Sequence, residues 1–143
     1  MKNNTTVDVA IIGMGYVGLS LARVLVDSGL RVTGIDVNLE KVRAINEARS
    51  PVVDVSSTEI ERMFAKGFFV GSDFRSIRDA DTVILALPTP IGEDDHPDLS
   101  ALRSAVGSAA PFRKDGQLWI LESTVLPGVT EGIIAPELLS TSS

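Results

Sequence analysis

The stretch that decides the fold is VDVAIIGMGYVGLSLARVL, Val7 to Leu25, in which Gly13, Gly15 and Gly18 separate an apolar run from a helical pattern. VDVAII is short, β-branched and stopped by glycine, which predicts a buried strand. From Tyr16 onward, Val17, Leu21, Val24 and Leu25 recur at helical spacing, and Gly29 sits where a helix C-terminal cap belongs. The glycines fit GxGxxG, with a strand before and a helix after. The first allows a tight turn, the second lets backbone approach a pyrophosphate, and the third lets helix and strand pack closely. The helix N-terminus then offers unpaired N–H groups to phosphate.

The same alternation continues downstream. RVTGID forms a second strand ending on Asp36, and Asn38 caps a helix whose inward face is Leu39, Val42 and Ile45. Ser56 and Glu59 have capping-box spacing at the head of a helix that closes at Gly67. FFVG is a short strand, SIRDAD a helical turn or loop, and TVILALP a strand ending sharply at Pro88. IGEDDHPD reads as an exposed loop. Asp98 caps a helix with Leu99, Leu102, Val106 and Ala109, and QLWILES is a fifth strand. A last helical segment holds Val129 and Ile133 and is interrupted by Pro136. Five near-continuous apolar strands, centred near Val9, Thr33, Phe69, Ile84 and Ile120, alternate with helices. That pattern predicts an α/β fold, a Rossmann-type doubly wound parallel sheet in three α/β/α layers, as one domain over residues 1–143.

Composition narrows the function. At 143 residues the chain suits a single core, and a net charge of -6 disfavours nucleic acid and requires any phosphate site to be built locally. No cysteine is present, so disulfides, thiolate metal sites and cysteine nucleophiles are excluded from this chain. Apolar runs of about six residues fall far short of the ~18 that a membrane span needs. The leader MKNNTT is polar and has no apolar h-region, so the expected location is cytoplasmic.

In doubly wound sheets the ligand lies beyond the carboxyl ends of the strands, where strand order reverses. Asp36 stands 23 residues after Gly13, the position from which a carboxylate accepts hydrogen bonds from an adenosine ribose, although a strand-end turn residue would occupy the same place. The carboxylate repels a 2′-phosphate and neither Val37 nor Asn38 is an arginine, so NAD is expected rather than NADP. Lys41 fits two readings, contact with the cofactor or a solvated charge beside Glu40. LALPTP replaces a helix entry with a rigid loop of two prolines around Thr89, and ESTVLPG puts Glu122, Ser123 and Thr124 at the end of the fifth strand. Either hydroxyl could simply cap the following helix.

Together, GMGYVG at Gly13 to Gly18, DVN at Asp36 to Asn38, LPTP at Leu87 to Pro90, PDLS at Pro97 to Ser100 and ESTVLPG at Glu122 to Gly128 resemble the UDP-glucose/GDP-mannose dehydrogenase family of nucleotide-sugar 6-dehydrogenases. The PDLS and EST versions look most like the branch that oxidises UDP-N-acetylhexosamines. The resemblance covers nearly the whole chain. It implies NAD-dependent, two-step oxidation of a sugar C6 hydroxyl to a carboxylate, serving polysaccharide biosynthesis. It also implies that Gly13, Gly15, Tyr16, Val17 and Gly18 hold the pyrophosphate, and Asp36 and Lys41 the adenosine side. Leu87, Pro88, Thr89, Pro90, Ser123 and Thr124 would line the cofactor, with Thr124 positioning a catalytic water.

Members of this family carry the reaction on a cysteine, with lysine, asparagine and aspartate partners from a central helical domain and a C-terminal domain. This chain has none of that cysteine chemistry and stops before the sixth strand of the family's first domain. The expectation is therefore an NAD-binding fragment that does not turn over alone, self-associating as a homodimer through an open sheet edge, with a UDP-sugar as substrate only in the whole protein. The alternative is a free-standing dinucleotide-binding module with a sensing or assembly role. His96 could act as a base or be an exposed loop residue; Glu93 to Asp95 read as solvated carboxylates, and no metal is expected.

Overall fold

The computed structural model describes residues 7–122 and 128–140. Five strands, β1 (Val7–Ile12), β2 (Val32–Ile35), β3 (Phe69–Gly71), β4 (Ala80–Leu85) and β5 (Leu118–Leu121), form one sheet in the order β3-β2-β1-β4-β5. All four pairings are parallel. The chain builds outward from β1 through β2 to β3, then returns to the other side of β1 with β4 and β5. That reversal opens a crevice at the carboxyl ends of β1 and β4.

The apolar strands are buried on both faces. On one face Val9 and Ile11 of β1 pack with α1 (Tyr16–Asp27), α2 (Leu39–Asn46) and α3 (Ser57–Ala65) through Leu19, Ala22, Ile45, Ile60 and Met63. On the other, Ala10 and Ile12 meet α4 (Ser100–Ala109) and α5 (Ala135–Leu139) through Leu102, Val106, Ala109 and Leu138. The doubly wound α/β/α fold read from the alternating patterns is the fold observed.

Side-chain caps set the N-terminal ends of α2 and α3. Asn38 accepts the Lys41 N–H at 3.1 Å at the head of α2. Ser56 and Glu59 form a reciprocal capping box, Glu59 N to Ser56 Oγ at 3.2 Å and Ser56 N to Glu59 Oε2 at 2.8 Å. Three expectations need correction. The buried face of α1 is Gly18, Leu19, Ala22 and Val26, while Val17 and Val24 are 48% and 55% exposed. The close approach at Gly18 turns the small residues toward the sheet, so the larger valines rotate outward. Leu39 is likewise 64% exposed, because the Asn38 cap places it in the first turn of α2 on the outer side. Pro136 does not interrupt the last segment: a π-helical turn at Thr130–Ile134 runs into α5 with Pro136 in its first turn, where a missing N–H is tolerated.

The loop read as merely exposed is a small hairpin. Ile91 and Pro97 form an antiparallel bridge, Gly92 N donates to His96 O at 2.8 Å, and Asp98 N donates to Pro90 O at 2.7 Å. Asp98 acts from just ahead of α4, its Oδ1 accepting the Ser100 N–H at 2.9 Å.

Candidate functional site

The turn after β1 is built from backbone contacts that leave no room for side chains. Gly13 has φ of 103° and its N–H donates to Ile35 O at 2.7 Å. A Cβ on Gly13 would lie 2.5 Å from the Ala86 carbonyl oxygen, and one on Gly18 would collide with the carbonyl of Gly13. Above Gly15 there is open space: a Cβ there would meet nothing within 4 Å. No side chain caps α1, so the N–H groups of its first turn remain available to a ligand. This is the cradle that a pyrophosphate requires, backbone donors beneath an unobstructed approach.

Asp36 closes the β2 end of the cleft. It is only 7% exposed; Oδ2 accepts the Met14 N–H at 2.8 Å and Oδ1 the Asn38 N–H at 2.9 Å. Lys41 Nζ lies 3.4 Å from Oδ2. The carboxylate thus ties the turn after β1 to the turn after β2, and the charge-assisted bonds offset its burial. Lys41 is a partner of Asp36, not a solvated charge beside Glu40.

These residues line one cleft of about 620 Å³, within the size range of cofactor sites. Gly13, Gly15, Tyr16, Val17, Asp36 and Lys41 lie on its walls, and Leu87, Pro88, Thr89 and Pro90 form the opposite side. Gly18 sits beneath the turn, with no exposure to the cleft. Tyr16 is 61% exposed, and a hydrogen bond with Asp54 together with that carboxylate's charge raises its phenol pKa, so it stays protonated. Ser123 and Thr124 lie outside the described residues.

Four lining residues were not among those expected: Val37, Ala86, Ala101 and Glu122. Val37 and Ala86 flank Asp36 and Leu87, and adjacency alone could have pointed to them. Ala101 enters because the hairpin brings the head of α4 to the cleft, a long-range consequence with no local signal. Glu122 is fixed at the end of β5 by its N–H, which donates to Leu85 O at 2.9 Å.

A model of the UDP-glucose/GDP-mannose dehydrogenase family, NAD binding domain, matches residues 7–143. The chain belongs to this family, as its NAD-binding domain. It is 34% identical over 123 residues to a UDP-N-acetyl-D-mannosamine dehydrogenase of Salmonella typhi, covering 86% of this chain and 29% of the relative. Against a UDP-glucose 6-dehydrogenase of Haloferax volcanii the identity is 31% over 135 residues, with 92% and 31% covered. The crystal structure of an NDP-N-acetyl-D-galactosaminuronic acid dehydrogenase from Methanosarcina mazei superposes with a TM-score of 0.85 at 30% identity, covering 95% of this chain and 31% of that one. The chain spans just under a third of the length of these relatives. NAD is the cofactor of the domain, and the open cradle at Gly15 with Asp36 at the second strand end fits it. Among the described residues no helix is long and apolar enough to cross a membrane, and no three His, Asp or Glu side chains gather to hold a metal.

Proposed function

We propose that this chain supplies the oxidant site of a nucleotide-sugar dehydrogenase that converts the C6 hydroxyl of a UDP-sugar to a carboxylate. The observation that carries the reading is the cradle at Gly15 joined to Asp36, Met14 and Lys41 by direct bonds in a chain of this family. Bound NAD supplies the hydride acceptor, used twice in going from alcohol to acid. The chain's own part is to bind and orient. Backbone N–H groups of Gly15 to Gly18 take the pyrophosphate, Asp36 and Lys41 the adenosine ribose, and Leu87 to Pro90 form a stiff wall that keeps water from the redox half. Ser123 adds to that wall and Thr124 positions the water that enters in the second oxidation.

Cysteine-based covalent chemistry cannot come from these 143 residues, which contain none. The chain alone binds NAD and does not turn over. We place the activity in the cytoplasm, feeding polysaccharide assembly with an acidic sugar nucleotide. Isolated copies associate through the free edge of β5, whose Leu118 is exposed.

The test is a domain exchange. Put in place of the corresponding segment of the Salmonella relative, this chain should restore NADH formation with UDP-N-acetylmannosamine, while alone it should give no sustained NADH with any UDP-sugar. Sustained turnover by the isolated chain, or a folded, NAD-binding chimera with no activity on any nucleotide sugar, would contradict the proposal.

A further inference from the structure

The cleft is lined by three charged groups, and they are not distributed evenly. Asp36 and Lys41 stand 3.4 Å apart at the end of β2 and largely cancel. Glu122 stands at the end of β5, exposed, and no cation pairs with it among the described residues. Two strands, β1 and β4, separate these ends. Three strand spacings amount to about 14 Å, comparable to the reach of an extended dinucleotide. With the ribose of adenosine at Asp36 and the pyrophosphate at the head of α1, the redox half of the ligand falls on the β4 and β5 side, where Glu122 lies.

We propose that Glu122 discriminates between the two redox states of the cofactor, favouring oxidised NAD over NADH. The inference rests on the NAD reading of the cleft. The two ligands share their pyrophosphate and ribose charges and differ by one positive charge, which oxidised NAD carries on the nicotinamide ring. A carboxylate on that side attracts the ring cation and does nothing comparable for the neutral dihydronicotinamide. Repulsion between Glu122 and the pyrophosphate is common to both ligands and drops out of the ratio. The asymmetry suits an oxidising enzyme: the substrate form of the cofactor is held and the product form is released.

Because Glu122 faces solvent, screening limits the effect to about two- to fivefold in the affinity ratio. The experiment is calorimetric titration of the 143-residue chain with oxidised NAD and, separately, with NADH, for wild type, Glu122→Gln and Glu122→Asp. Glu122→Gln should weaken oxidised NAD about two- to fivefold while leaving NADH unchanged or slightly tighter. Glu122→Asp, which keeps the charge, should retain most of the wild-type ratio, and salt near ~1 M should shrink the difference between wild type and Glu122→Gln. Equal changes for both ligands, or no change in their ratio, overturn the role of Glu122 while leaving the NAD reading intact. Failure of the wild type to bind either ligand overturns both.

Discussion

The two sides of the cleft are built differently. On the β1 and β2 side, position is set by backbone. Gly13 runs against the Ala86 carbonyl, Gly18 against the Gly13 carbonyl, and Asp36 holds two N–H groups at 2.8 and 2.9 Å. On the β4 and β5 side, the wall is a proline loop, a hairpin closed by a few bonds, and one exposed carboxylate on a strand end. On the first side, Gly13 and Gly18 have no room for a side chain. On the second, Pro88, Pro90 and Glu122 are exposed, so their side chains can change at less cost to the fold.

Breaking the rigid side should have the largest effect. Gly18→Ala places a methyl against fixed backbone, so a loss of about 3 kcal/mol in stability is expected, with NAD binding abolished, read by thermal denaturation and calorimetry. An unchanged melting temperature would show that the turn has slack after all. Asp36→Ala comes next. It strands the Met14 and Asn38 N–H groups and leaves Lys41 unpaired, so stability should fall by about 2 kcal/mol and NAD affinity by at least about tenfold. Gly34→Ala should cost about 1 kcal/mol and weaken NAD a few-fold, because its new methyl meets the flexible end of the Met14 side chain instead of backbone. Shortening Met14 in the same chain should recover the loss, and failure to recover would remove Met14 from the account.

Away from the cleft, Ser56→Ala should cost about 1 kcal/mol at the head of α3 with NAD affinity untouched. The hydrogen bond from the Ser56 backbone, with Arg23 and Arg62 nearby, lowers the Glu59 pKa below 4.5. A depressed carboxylate contributes stability that is present above its unfolded value and lost as pH falls through its folded value. In acid titration, the stability difference between wild type and Glu59→Gln should therefore be constant above pH 4.5 and shrink as pH falls below it. Parallel curves across that window would contradict the capping role.

The difference between the sides also explains what could be read from the sequence. Gly13, Gly18 and Asp36 were legible because their geometry admits few residue types, so residue identity reports position. The parallel, doubly wound sheet followed from apolar runs alternating with helical spacing; its order, β3-β2-β1-β4-β5, came from the structure. The inward face of α1 was half legible: Leu21 and Leu25 pack against the core, whereas close packing selected Gly18 and Ala22 and left Val17 and Val24 outside. The place of Ala101 beside the cleft depends on contacts between residues distant in sequence. So does Gln117, whose Nε2 donates to Ile77 O and Ala80 O at 2.8 Å and whose Oε1 accepts the Trp119 Nε1–H at 3.0 Å, pinning the start of β5. A glutamine at a strand entry carries no sequence signal of such a role.

The central claim is that this chain holds NAD in its own cleft through the turn after β1 and the carboxylate of Asp36. Titration of NAD into the wild-type chain and into Asp36→Asn tests it most directly, since the amide keeps the size of the side chain but cannot accept at both positions as a carboxylate does. The account predicts saturable binding of one NAD per chain in the wild type and a loss of about tenfold or more in the variant. Absence of saturable binding by the folded wild-type chain, or equal affinity in the two proteins, would contradict it.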